Sequence, residues 1–279
     1  PLDAGDILDL NELRSGLENL YSTDLFENFT VNVIRRNGMN VLQLEVNEKP
    51  SQIARFGFKV DNENAPQVNL DIRDANIFST GGELGLIAFI SPRKLSAEIE
   101  SRSNRIFDTY LTYKIGLHYN QRDIFRYRDD PSGSKSFYTR SQSGEYRQVL
   151  VGASFWLGTQ VGRFGNLIAK AKYELNRILD ITSSSDIVYE APIFNINIST
   201  TIDTKDKYPY PSEGILFNGF YETGLSFLSA NTGYTSFGAR FEGYAPLSAT
   251  GTIIASGEIG FADQTLPLSQ QFSLGGLRS

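Results

Sequence analysis

The 279 residues suffice for one large or two ordinary domains, and 40% hydrophobic content excludes a disordered chain. The absence of cysteine excludes a disulfide framework, a thiolate metal site and a cysteine nucleophile, while a single histidine, His118, removes most zinc and serine-histidine-aspartate schemes. A net charge of -6 argues against nucleic acid as a main partner, and no motif calls for a cofactor.

Residues 1–50 read as a small α/β module. Asn11 is placed to cap a helix in which Leu13, Leu17 and Leu20 recur at helical spacing, ending near Thr23. Two alternating runs follow, residues 29–34 and 39–46, joined by the turn Arg35-Arg36-Asn37-Gly38, and the module closes at Glu48-Lys49-Pro50. The chain opens at Pro1 without a signal peptide and in what reads as mid-domain, so it is expected to be part of a longer precursor.

From residue 52 onward no helical pattern survives, and eleven stretches alternate apolar with polar residues: 53–60, 67–73, 83–90, 95–100, 111–120, 149–157, 167–175, 193–203, 215–227, 237–242 and 253–261. Successive strand side chains point to opposite faces, so each stretch predicts a ribbon with one apolar and one polar side. In residues 193–203, Phe194, Ile196, Ile198, Thr200 and Ile202 take one face while Asn195, Asn197, Ser199, Thr201 and Asp203 take the other. No window approaches the roughly 18 consecutive apolar residues of a membrane helix, so a bilayer would be crossed by strands.

The polar face is charged with mixed sign. It carries Arg55, Lys59, Asp71, Arg73, Glu98, Glu100, Lys114, Lys170, Lys172, Glu174, Glu222, Arg240, Glu242 and Glu258. A soluble sandwich would also alternate, but paired charges on the wet side and membrane-spanning lengths predict an antiparallel transmembrane β-barrel with a charged lumen. A polar loop is expected over roughly residues 126–144, with tight turns at the other end. Trp156, Tyr208, Tyr210 and Tyr244, near strand ends, read as interfacial girdle residues, and His118 as part of the lumen network. Glu98 with Glu100, or Glu222 with Glu242 and Glu258, would suit a carboxylate pair for hydrolysis or cation binding; cross-strand pairing with Arg240, Lys170 and Lys172 is the reading preferred.

The order of parts resembles the bacterial surface antigen superfamily of BamA, TamA and the barrels fused to patatin-like phospholipases. The segment Leu20-Tyr21-Ser22-Thr23-Asp24-Leu25-Phe26-Glu27 with Val46-Asn47-Glu48-Lys49-Pro50 is similar to the family's last polypeptide-transport-associated (POTRA) domain. Arg55-Phe56-Gly57-Phe58 matches its first barrel strand, and residues 74–82 its turn after the second. Asp203-Thr204-Lys205-Asp206 with Tyr210-Pro211-Ser212-Glu213-Gly214 resembles the link between strands eight and nine. Residues 272–279 resemble the approach to the loop after strand eleven, marked here by Gly275, Gly276 and Arg278; Arg278 is followed by Ser279, which departs from the family's R-G-F/Y tip. Residues 157–165 and 274–276 look most like the patatin-fused branch, although no G-x-S-x-G elbow occurs within the chain.

The resemblance implies residues 1–50 as a partial C-terminal POTRA module in the periplasm and residues 51–279 as about eleven of sixteen strands of an outer-membrane barrel, incomplete at its C-terminal end. It implies insertion or translocation of proteins at the outer membrane of a Gram-negative-type bacterium. Partners would be outer-membrane lipids, unfolded outer-membrane or secreted proteins, and accessory lipoproteins or a homodimer partner. Ile53, Arg55, Phe56, Gly57 and Phe58 would form a lateral seam, and Val41, Leu42, Leu44 and Val46 the edge that receives a substrate strand. Lys114, Lys170, Lys172, Arg240, Glu222, Glu242 and Glu258 would form the lumen network. A second reading is the membrane anchor of a patatin-like phospholipase whose catalytic domain precedes residue 1; a third is a diffusion pore, which leaves the N-terminal module unexplained. Residues 1–279 themselves are not expected to be an enzyme.

Overall fold

The computed structural model describes residues 9–22, 25–61, 65–78, 80–103, 106, 109, 111–129, 140–182, 186–229, 233–248, 251–263 and 266–272. It opens with helix α1, Leu10–Ser22. The Asp9 carboxylate accepts the Asn11 N–H at 2.7 Å, and the Asp9 carbonyl accepts the Leu13 N–H at 2.9 Å. Asp9 is therefore the cap and Asn11 lies inside the first turn, which corrects the sequence expectation by two residues. An antiparallel hairpin follows, β1 (Phe26–Arg36) and β2 (Met39–Glu48), with Tyr21 of α1 meeting Phe29 edge-on at 6.2 Å. Asn37 and Gly38 both have positive φ, 52° and 82°, as a two-residue primed turn requires. Arg35 and Arg36, expected in the turn, consequently belong to β1.

The other eleven strands form one antiparallel sheet in which every strand lies beside its neighbours in sequence. They are β3 (Gln52–Asp61), β4 (Ala65–Ile77), β5 (Gly82–Ile90), β6 (Lys94–Ser103), β7 (Leu111–Asp129), β8 (Arg140–Val161), β9 (Gly165–Asp180), β10 (Asp186–Asp203), β11 (Gly214–Gly224), β12 (Tyr234–Pro246) and β13 (Thr252–Ala262). Each sits on one of the alternating stretches, and β3 and β13 are the two ends of the sheet.

Burial is inverted relative to a soluble protein. Among the described residues the buried polar set, including Gln67, Glu83, Glu100, Gln148, Glu174, Asn176 and Asn195, outnumbers the buried apolar Ala191, Ile193, Tyr234 and Leu266. Large apolar side chains such as Leu111, Ile115, Leu117, Phe155 and Leu157 are exposed on the outer face. Along β7 the outward apolar positions run over residues 111–119, close to the roughly nine tilted residues needed to cross hydrocarbon. Just beyond, Asp123 and Arg147 face each other outward with N–H···O distances of 2.7 and 2.8 Å. These pairs carry β7 and β8 past the apolar belt, so the expected polar loop at 126–144 is shorter, its flanks being strand as far as Asp129 and from Arg140.

Residues 215–227, expected as one strand, end as strand at Gly224. The Ser229 hydroxyl accepts the Phe194 N–H at 2.7 Å and donates to the Phe194 carbonyl at 3.2 Å, taking the place of a strand partner where β11 leaves β10. Ser226–Leu228 form a 3-10 turn instead.

The link between β10 and β11 is stapled by one carboxylate. Asp206 accepts the N–H groups of Ser212 at 2.8 Å and Glu213 at 3.1 Å, and Gly214, at φ 109°, brings the chain so close to Thr204 that a Cβ would collide with its carbonyl. The Ser212 N–H holds the Asp206 carboxyl below the usual aspartate value of 3.8. A lowered pKa means the contribution is fully present above the usual value and is lost as pH falls through the lowered one. Replacing Asp206 by Ala should raise proteolysis of residues 207–213 several-fold at neutral pH, measured by limited digestion, and parent and variant should converge in strong acid.

Candidate functional site: lumen wall and free strand edges

The antiparallel register sets the lumen-facing residues in rows across the wall. One row runs Arg73, Gly85, Glu100, Gly116, Ser154, Lys172, Asn195. The next runs Asp71, Ile87, Glu98, His118, Gly152, Glu174, Ile193. A third runs Glu83, Arg102, Lys114, Trp156, Lys170, Asn197, Glu222, Ser236. Glycine in these rows lets long side chains lie across a strand. A Cβ on Gly152 would stand 3.1 Å from His118 Cε1, and across that gap His118 Nε2 reaches Glu174 Oε2 at 3.0 Å.

Ion pairs knit the β3–β7 part of the wall. Arg55 donates to Asp71 at 3.1 Å; Arg73 donates to Asp71 at 2.8 Å, pairs with Glu83 and lies 3.7 Å from Glu100. Lys114 pairs with Glu98 at 2.9 Å and also with Glu100. Buried charges require such partners, since an uncompensated one costs several kcal/mol.

On β8–β12 neutral groups share the load. Arg122 donates to Gln148 at 2.8 Å, which donates to Asn176 at 3.3 Å. Asn195 donates to the Tyr234 hydroxyl at 3.0 Å, and that hydroxyl donates to Glu222 at 2.6 Å. Lys172 lies 3.4 Å from Glu174. Arg240 pairs with Glu242, Tyr244 donates to Glu242 at 2.9 Å, and Glu258 is the register partner of Arg240.

The structure thus gathers Lys114, Lys170, Lys172 and Glu222 in two adjacent rows and sets Arg240, Glu242 and Glu258 apart in a third group. Trp156 and Tyr244, expected in the outer girdle, face the lumen. Trp156 stands between Lys114 and Lys170, whose ammonium groups lie 5.2 and 4.3 Å from its ring. Parity alone places it there: Phe155 and Leu157 point outward, so the residue between them points in. Tyr208 and Tyr210 are 91% and 83% exposed on the β10–β11 link. Gln148, Asn176 and Tyr234, unmarked in the sequence reading, sit at the same inward parity.

Beyond β13 the chain turns back onto the lumen face. Leu266 is buried, and Asn176 donates to the Ser269 hydroxyl at 3.3 Å. The Gln270 amide lies between Glu222 and Lys172, and in the orientation that satisfies both neighbours it donates to the first at 3.1 Å and accepts from the second at 3.3 Å. Phe272 covers Gly260, where a Cβ would meet its ring at 2.8 Å, and lies 6.3 Å from Phe220. Gly275, Gly276 and Arg278 are outside the described residues.

The strand edges expected from the sequence lie on β3 and β2. β3, at the end of the large sheet, carries Ile53, Arg55 and Gly57 on the lumen side, and sends Phe56 and Phe58, 74% and 65% exposed, outward. In the hairpin, Leu42, Leu44 and Val46 lie opposite Val33, Val31 and Phe29, with Val41 on the other face, and β2 has β1 as its partner in a two-stranded sheet.

The Omp85 superfamily domain matches residues 76–279. No curated protein sequence matches the chain. Among solved structures, BamA from Haemophilus ducreyi lacking POTRA domains 1-3 is similar over 100% of this chain and 55% of its own, with TM-score 0.81 and 17% identity. CdiB from Escherichia coli is similar over 98% of this chain and 52% of its own, with TM-score 0.62 and 12% identity. CdiB from Acinetobacter baumannii follows with TM-score 0.54, 13% identity, and 99% and 51% of the two chains covered. The chain thus spans about half the length of these structures, and at such identities the likeness is one of fold. With the domain match covering well over half of its residues, the chain belongs to the Omp85 superfamily and is part of an outer-membrane β-barrel.

Proposed function

We propose that this chain forms the membrane wall of a machine that inserts or translocates polypeptides at the outer membrane, with residues 1–50 as a periplasmic POTRA module that hands them over. The observation that carries this reading is β3. It is the first strand of the large sheet, so its outer edge is where a barrel of this topology closes on itself; it pairs with β4 without a bulge and sends Phe56 and Phe58 toward lipid. An incoming strand gains main-chain hydrogen bonds by adding to such an edge. Gly57 weakens any permanent partner, because glycine contributes no cross-strand packing. The hairpin edge at Val41, Leu42, Leu44 and Val46 offers the same chemistry on the module side.

The similarity to a BamA structure described as lacking POTRA domains 1-3 runs over the whole chain, residues 1–50 included, which supports the module assignment. A simple diffusion pore fits less well. The segment 266–272 lies against the lumen wall on a shelf of hydrogen-bonding side chains and covers part of it.

Three outcomes test this reading. Cysteines on β3 and on the final strand of the full-length protein should crosslink in membranes; pairs that never crosslink, while other neighbouring strands do, would rule out the seam. Gly57→Val should be accommodated, since an added Cβ meets Asn69 Cβ at an ordinary 3.5 Å. By raising strand propensity by up to about 1 kcal/mol it should tighten the seam and slow substrate insertion several-fold in proteoliposomes. Gly260→Val should expel Phe272 from its slot and raise ion conductance of the full-length barrel in planar bilayers.

A further inference from the structure

Lys170 differs from the cations around it. Lys114 reaches Glu98 and Glu100, Lys172 reaches Glu174, and Arg73 reaches Asp71 and Glu83. Lys170, half-buried in the same wall, makes no ion pair among the described residues; its close partner is the Trp156 ring at 4.3 Å. The neighbouring carboxylates are already engaged. Glu222 accepts from Tyr234 at 2.6 Å and Asn197 at 3.2 Å, Glu174 from His118 and Lys172, and Glu98 from Lys114.

The indole is also held in one orientation. Trp156 Nε1 donates to Ser154 Oγ at 3.1 Å, and Lys114 approaches the ring at 5.2 Å. An aromatic face flanked by two ammonium groups repels a further cation and leaves N–H donors for an anion. The site lies one row from Lys172 and in the same row as Glu222, the two residues that flank Gln270 of the returning segment, so it borders the part of the lumen that this segment occupies.

We propose that Lys170 and Trp156 form a carboxylate-binding site on the lumen wall, which takes acidic side chains of a polypeptide passing through the barrel. The site rests on the reading that polypeptides enter the lumen. Its chemistry is a charge-assisted hydrogen bond from the ammonium, with the indole excluding water from one side.

The experiment uses the full-length protein in nanodiscs, with hexaglutamate as probe. The readout is tryptophan emission, taken as the difference between the parent and Trp156→Phe so that other tryptophans cancel. A saturable change is expected, weakened roughly tenfold or more by Lys170→Gln, retained by Lys170→Arg and suppressed by high salt. Heat-resistant electrophoretic mobility establishes that each variant folds, and Lys170→Met serves should Lys170→Gln fail that check. A parent that gives no saturable response, or that titrates like the Lys170 variants, overturns the site. An equal response to inorganic phosphate overturns its assignment to polypeptide carboxylates. Because free peptide is used, the titration is independent of seam crosslinking, so failure of the seam and failure of this site are separate results.

Discussion

A strand in hydrocarbon has no water to satisfy its amides and carbonyls, so each must be paired along both edges. That requirement organises the molecule. It explains why eleven strands join into one uninterrupted antiparallel sheet in chain order, and why the ends of that sheet are chemically different from everything between them. The interior strands are satisfied by neighbours a short turn away. β3 and β13 are the places where pairing must come from further along the sequence or from another chain.

Pairing also decides what the side chains do. With the backbone closed on itself, one face of every strand meets lipid and the other meets the lumen, and the usual relation between polarity and burial is reversed. Apolar residues such as Ile115 and Phe155 lie outside, while Glu100, Glu174 and Asn195 are buried. A buried carboxylate is tolerable only with donors in place, and the rows created by the register supply them from adjacent strands. Where two large partners meet across an intervening strand, that strand carries glycine, as Gly152 does between His118 and Glu174.

Much of the wall was legible because period-two alternation is a local signal. Residues 193–203 alone specify which face of β10 is wet, and the same rule located all the large-sheet strands and the lumen side of Lys114, Lys172, Glu222 and Arg240. Three things escaped it. Strand length was underestimated where polar pairs such as Asp123 with Arg147 continue the ladder beyond the apolar belt, since no hydrophobic signal marks that extension. Trp156 and Tyr244 are girdle-type residues, but parity, which outranks residue type, sets both on the lumen side. The returning segment 266–272 has no periodicity, and its seat depends on Asn176, Gly260 and Phe220, which lie far apart in sequence. The helix cap moved from Asn11 to Asp9 because both residues can cap, and only the backbone path decides between them.

The sequential strand order bears on how the protein assembles. Every ladder in the wall joins neighbours in the chain, so each can zip onto the last with little loop-closure entropy. The contact from Asn176 to Ser269 spans 93 residues and cannot form until β9 through β13 stand side by side. Insertion of the returning segment is therefore a late event in folding, and its arrival reports that this stretch of wall is complete.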